Sequence, residues 1–187
     1  MKRDAMSESP RCAPSLAPLR ILLLEDVPLD ASLIEARLRA VDMAFCLQVV
    51  VTEAEFHRAL GEFTPDLILS DYNLPTFDGM TALTIVREVC RDTPFIFVSG
   101  AIGEESAIAL LRKGATDLVL KHNLSRLGPA VARALHEREQ RTEARRAVKA
   151  LRETIDVLRS TKRSFKSKTL GELRLKLEQL VETTPWW

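Results

Sequence analysis

Five residues suited to phosphate and metal chemistry stand at the ends of short apolar runs. Glu25 and Asp26 follow LRILLL, Asp71 follows DLILS, Ser99 closes PFIFVS, and Lys121 follows TDLVL. Carboxylates brought together repel one another unless a cation lies between them. A hard, oxygen-preferring ion such as Mg2+ suits that place, held by few carboxylates and several waters. A carboxylate is also a nucleophile toward phosphorus, forming an acyl phosphate. A phosphoryl group in transfer needs positive charge and hydrogen-bond donors at its equatorial oxygens. The ion, the Lys121 ammonium and the Ser99 hydroxyl would supply these. Each residue also has a plainer reading: an acidic pair at a helix start, an Asp capping a loop, a Ser-Gly turn, a solvated lysine at a strand end. Their conjunction favours chemistry.

The five span 97 positions of the chain, so only a fold can collect them. From Leu19 the sequence alternates apolar runs with segments of helical period. Strands are predicted at 19–24, 45–51, 66–70, 94–99 and 116–120. Helices are predicted over 29–40, 52–60, 78–91 and 104–113, with a final one from about Leu124; Thr52 and Glu55 have capping-box spacing. Strands alternating with helices predict an α/β fold, a doubly wound five-stranded parallel sheet with helices on both faces. Continuous apolar strands fit a sheet covered on both sides. Ligands in such folds sit at the carboxyl ends of the strands, where the five residues fall.

The motifs LLLED, LSDYNLPTFDG, FIFVSGA and LVLKHN, in that order, resemble those of response-regulator receiver domains. The separations are of receiver type: 45 residues from Asp26 to Asp71, 28 on to Ser99 and 22 on to Lys121. The resemblance covers about residues 19–136 and implies the flavodoxin-like strand order 2-1-3-4-5. It implies that Asp71 accepts phosphate from a sensor histidine kinase or a histidine phosphotransfer protein. Mg2+ would be held by Glu25, Asp26, Asp71 and the backbone carbonyl of Asn73. Lys121 would pair with the phosphoryl group and Ser99 would move to hydrogen-bond it. Receivers catalyse this transfer on themselves but are not conventional enzymes.

Three positions depart from the family pattern. Glu25 stands where an aspartate is common. Leu118 occupies the place, three before the lysine, where many receivers carry the aromatic that swings inward on activation; an aliphatic side chain offers no such swing. His122 follows Lys121 where proline is usual. His57 and His136 have no acidic or Cys partner at metal spacing and are assigned nothing.

The composition suits a globular protein: 46% hydrophobic and 28% charged residues in 187, with a formal net charge of +1. Charge is uneven along the chain. Residues 1–136 hold 14 Lys+Arg against 18 Asp+Glu, net −4, and residues 137–187 hold 13 against 8, net +5. Cys12, Cys46 and Cys90 show neither CxxC spacing nor the density of a disulfide scaffold, as expected of idle thiols in a reducing compartment. No run reaches the roughly 18 apolar residues of a membrane span. No apolar segment follows the basic MKRD, so a secretory signal is not expected. The expected location is cytoplasmic. Residues 1–18, with Pro10, Pro14 and Pro18, read as a flexible leader.

Beyond the receiver, residues 137–187 predict a helical extension in two segments, about 137–160 and 169–182. Ala144, Val148, Leu151, Ile155 and Leu158 are spaced by fours and threes, as in a heptad seam. After a basic connector (Arg159, Lys162, Arg163, Lys166, Lys168), Thr169 and Glu172 have capping-box spacing, and Leu170, Leu173, Leu177 and Leu180 continue at threes and fours. Each stripe must be buried on something: the other segment, a second protomer, a partner, or the receiver itself. The closing Pro185-Trp186-Trp187 could anchor in a groove or pack on the helices.

The leading functional expectation is a response regulator read out through protein–protein contacts of the receiver and tail, by dimerisation or partner docking. A nucleic-acid-binding regulator, using the basic tail for DNA or RNA, is the first alternative. Against it, two segments give no three-helix pattern with a recognition helix. A receiver fragment of a hybrid sensor kinase is the second; no phosphoacceptor histidine motif or ATP-binding glycine box appears here.

Overall fold

The computed structural model describes residues 18–41, 43–75, 77–161 and 168–183. Residues 1–17 of the leader, with Cys12, lie outside the described residues. So do Lys162, Arg163 and Lys166 of the connector and the terminal Pro185-Trp186-Trp187.

Five strands, β1 (Leu19–Leu24), β2 (Phe45–Val50), β3 (Leu67–Ser70), β4 (Phe95–Ser99) and β5 (Asp117–Leu120), form one parallel sheet. Its order is β2-β1-β3-β4-β5, the doubly wound arrangement the sequence implies. The order follows from apolar content. Ile21–Leu24, Leu67–Leu69 and Phe95–Val98 are 0% exposed and take the centre. β2 (FCLQVV) carries polar Gln48 and exposed Cys46 and Val49, which suits an edge strand facing solvent on one side.

The connecting helices are α1 (Pro28–Arg39), α2 (Glu53–Glu62), α3 (Gly79–Val89), α4 (Glu104–Arg112) and α5 (Leu127–Thr161). Their starts are chemically marked. Pro28 sits in the first turn of α1, where its missing N–H costs nothing. Thr52 and Glu55 form the expected capping box on α2, and Asp78 caps α3 through the N–H groups of Met80 (2.6 Å) and Thr81 (3.0 Å). One core cluster joins β-strand residues such as Leu22, Ile68 and Phe97 to Phe56 of α2, Leu83 and Val86 of α3 and Leu110 of α4.

Most element ends fall within one or two residues of expectation, and two of the differences are informative. The final helix begins at Leu127 rather than near Leu124, because residues Lys121–Arg126 form a 3-10 turn in which Asn123 leaves helical geometry (φ −131°, ψ 50°). A second tail helix, α6, runs Lys168–Thr183, so Thr169 lies inside it rather than at its cap.

The chain parts into two compact units, Met1–Gly128 and Pro129–Trp187. Within the second unit α6 turns back on α5. Arg159 donates to Glu178 (2.8 and 2.9 Å), and Ile155, Glu178 and Val181 line one cleft. Of the seam expected on α5, Val148 and Ile155 are buried and Leu151 and Leu158 half-buried, while Ala144 is exposed. On α6 the burial lies elsewhere. Leu170, Leu173 and Leu180 are exposed and Leu177 is half-buried, while Arg174, Glu178 and Val181 are half-buried on the neighbouring face. Two faces one residue apart share the same three-four spacing, and the face carrying Arg174, Glu178 and Val181 lies toward α5, where Glu178 meets Arg159.

Candidate functional site: an acidic pocket at the carboxyl edge of the sheet

Strand register assembles the pocket. Leu24 of β1 lies opposite Ser70 of β3, so Glu25 and Asp71, one residue further on, emerge side by side. The ladder holds both in place: Asp71 N–H donates to Leu24 O (2.9 Å) and Glu25 N–H to Val50 O (3.1 Å). This is where the sheet order reverses, the crevice at which doubly wound folds bind ligands. Glu25, Asp26 and Asp71 each bring a carboxylate oxygen within 4.8 Å of the others. Ser99 ends β4 opposite Leu120 of β5, which places Lys121 just past the edge, two strands from Asp71. Two strand spacings are about 10 Å, and the long lysine side chain covers them.

Lys121 Nζ lies among three carboxylates. It donates hydrogen bonds to Asp30 Oδ2 at 2.6 Å and Asp71 Oδ2 at 2.7 Å, and it is 2.8 Å from Glu25 Oε2. The Glu25 approach is that of an ion pair; Oε2 is fully buried and makes no hydrogen bond of acceptable geometry. The other Asp71 oxygen, Oδ1, accepts from the N–H groups of Tyr72 (2.5 Å) and Asn73 (3.3 Å). Both oxygens of this 6%-exposed residue are thus fixed in direction. Burial pushes the Glu25 carboxyl above its ordinary value, opposed by the Lys121 ammonium and the Val27 N–H (3.2 Å). Burial works against a charged Lys121, but the bonds to Asp30 and Asp71 and the Glu25 carboxylate beside it outweigh that and hold the ammonium above the usual lysine range.

Ser99 is buried at the end of β4, its hydroxyl donating to Ala101 O at 3.3 Å. Asn73 meets Asp71 through its N–H. Leu118 is half-buried at the rim of the core, together with Tyr72 and Ile102. Tyr72 stands edge-on to Phe97 at 6.0 Å. Asp30 escaped the sequence reading. As an acid in the first turn of α1 it looks like an ordinary helix-start charge, and nothing local signals its partner 91 positions away.

The donor set fits a hard divalent cation: three carboxylates converge, and the buried Glu25 Oε2 has no directed hydrogen bond. Such an ion would be held by Glu25, Asp26 and Asp71.

The response regulator receiver domain family matches residues 21–132, more than half of the chain, and the protein belongs to that family. Among curated proteins it is similar to the regulatory protein LuxO of Vibrio cholerae, 31% identical over 99 residues. That match takes in 53% of this chain and 21% of LuxO. It is also similar to the regulatory protein AtoC of Escherichia coli, 32% identical over 119 residues, 60% of this chain and 26% of AtoC. The chain therefore spans about a quarter or less of these two relatives' lengths. Among solved structures, the signal receiver domain of a Luxo repressor protein from Vibrio parahaemolyticus superimposes with a TM-score of 0.62 at 26% identity. It covers 68% of this chain and 98% of that one. The phosphorylated cyanobacterial phytochrome response regulator RcpA superimposes with a TM-score of 0.52 at 29% identity, covering 62% and 89%. Receiver domains are signalling domains of two-component systems, and residues 21–132 of this chain are such a domain. Among the described residues no helix is long and apolar enough to cross a membrane.

Proposed function

We propose that Asp71 is the phosphoacceptor, taking a phosphoryl group from a histidine kinase or histidine phosphotransfer protein with Mg2+. The observation that carries this reading is the convergence on Asp71 of the Lys121 ammonium (2.7 Å) and the carboxylates of Glu25 and Asp26. A carboxylate oxygen of Asp71 attacks the phosphorus of a phosphohistidine; the P–N bond breaks, the imidazole leaves with the electron pair, and an acyl phosphate forms. Glu25, Asp26, Asp71 and the Asn73 carbonyl would hold the ion, which supplies positive charge to the phosphoryl oxygens. Lys121 adds a second cation there, and the Ser99 hydroxyl turns from Ala101 O to donate to a phosphoryl oxygen. RcpA, whose solved structure is phosphorylated, supports the chemistry by similarity.

The switch is read out through protein–protein contacts, by dimerisation or partner docking of receiver and tail. Exposed Leu170, Leu173 and Leu180 on α6 support that reading, as does Leu118, which offers no ring for the usual aromatic movement. The test is acetyl phosphate with Mg2+ on wild type and Asp71→Ala, followed by intact mass and light scattering. Wild type is expected to gain about 80 Da, the mass of one phosphoryl group, and Asp71→Ala nothing. A gain on both proteins, or on neither, refutes the assignment. A phosphorylated species of unchanged size refutes the dimer read-out alone.

A further inference from the structure

Lys121 does not serve Asp71 alone. Its shortest bond, 2.6 Å, goes to Asp30 Oδ2 on the first turn of α1, an element that supplies no metal-site residue. The N-cap of α1 is Val27, and the group able to hold an ion is Glu25, Asp26 and Asp71, so Asp30 belongs to neither role. Two of Lys121's three carboxylates, Glu25 and Asp71, are the ones a divalent ion needs. Two cations sharing the same acceptors within a few ångströms repel.

We infer that Asp30 is a positioning residue that holds the Lys121 ammonium beside Asp71 while a divalent cation takes Glu25 and Asp71. The inference rests on the phosphoryl site proposed above. Asp30 lies outside the metal group, so its bond to Lys121 is the one that ion binding leaves intact. It is also charged and directed, the stronger kind of hydrogen bond. Without it the ammonium has only the acceptors the ion must win, and Mg2+ binding and phosphorylation weaken together. The effect passes through Lys121, which sets it apart from the general attraction of one more negative charge.

The test is a double-mutant cycle on the full chain, with the dissociation constant of Mg2+ alone measured by titration calorimetry. Asp30→Asn is expected to weaken Mg2+ binding roughly tenfold, and in a Lys121→Met background less than about threefold. Asp30→Glu, which keeps the charge, is expected to stay within about threefold of wild type. Should Asp30→Asn not fold, Asp30→Ser, which also suits a helix start, carries the same comparison. Equal weakening in both backgrounds, or none in either, overturns the inference. Mg2+ binding that survives Asp71→Asn overturns the site reading itself. Binding abolished by Asp71→Asn but untouched by Asp30→Asn overturns only the role of Asp30.

Discussion

Gly79 and Gly61 allow one substitution, Gly→Ala, to be set against itself. Gly79 is the first residue of α3 and is buried; a Cβ there would run into the Asp71 carbonyl oxygen and lie 2.8 Å from Phe97 Cε1 and 2.9 Å from Ser70 Oγ. The first of these is backbone, already holding a bond from Ser70 Oγ (2.7 Å), so it cannot give as a flexible side chain does. Overpacking of this kind costs about 1–3 kcal/mol. The helix preference of Ala over Gly returns up to about 1 kcal/mol mid-helix and less at a first residue. The net loss for Gly79→Ala is therefore about 2 kcal/mol, which lowers Tm by about 4–8 °C in a chain of this size. Gly61, near the end of α2, is exposed with nothing within 4 Å of its added Cβ. Gly61→Ala should gain about 0.5 kcal/mol, chiefly by restricting the unfolded chain. The clash also displaces the Asp71 backbone, so Gly79→Ala should slow acetyl phosphate labelling by roughly tenfold, while Gly61→Ala leaves it unchanged. Urea unfolding and intact-mass time courses give both readings. Equal urea midpoints for the two variants, with equal labelling rates, would refute the claim that Gly79 is there to let α3 approach Asp71.

Asp78→Ala removes the acceptor of Met80 N–H, Thr81 N–H and Thr81 Oγ1 and should cost about 1 kcal/mol in urea unfolding. Despite a raising effect of burial, those bonds hold the Asp78 carboxyl below its ordinary value of 3.8. Its contribution is therefore present above pH 3.8 and lost as pH falls through the lowered folded-state value, so the gap between the two proteins should close in acid. Leu173→Glu changes a residue 47% exposed on α6, so monomer stability should move by less than about 0.5 kcal/mol. Under the proposed read-out, light scattering should show weaker association of the phosphorylated protein; unchanged association would remove α6's leucine face from that contact.

The sheet and the residues at its carboxyl edge were legible in the chain because each rests on local pattern. Buried parallel strands must be continuous apolar runs, so LRILLL, DLILS, PFIFVS and TDLVL announce themselves, and Glu25, Asp71, Ser99 and Lys121 mark their carboxyl ends. The β-α alternation then leaves few ways to wind them. Helix starts with side-chain caps, at Thr52 and Asp78, are local too. Asp30 was not legible. Its type and place fit an ordinary helix-start charge, and its partnership with Lys121 exists only because α1 and the end of β5 meet across the folded sheet edge. The sequence alone marks Leu170, Leu173, Leu177 and Leu180 as the α6 stripe to be buried, and helical spacing fits Gly171, Arg174, Glu178 and Val181 equally well. Hydropathy favours the leucines, yet the face carrying Glu178, which pairs with Arg159, lies toward α5. Periodicity is a property of one segment; which face is buried, and which carboxylate a lysine reaches, depends on what tertiary packing sets opposite it.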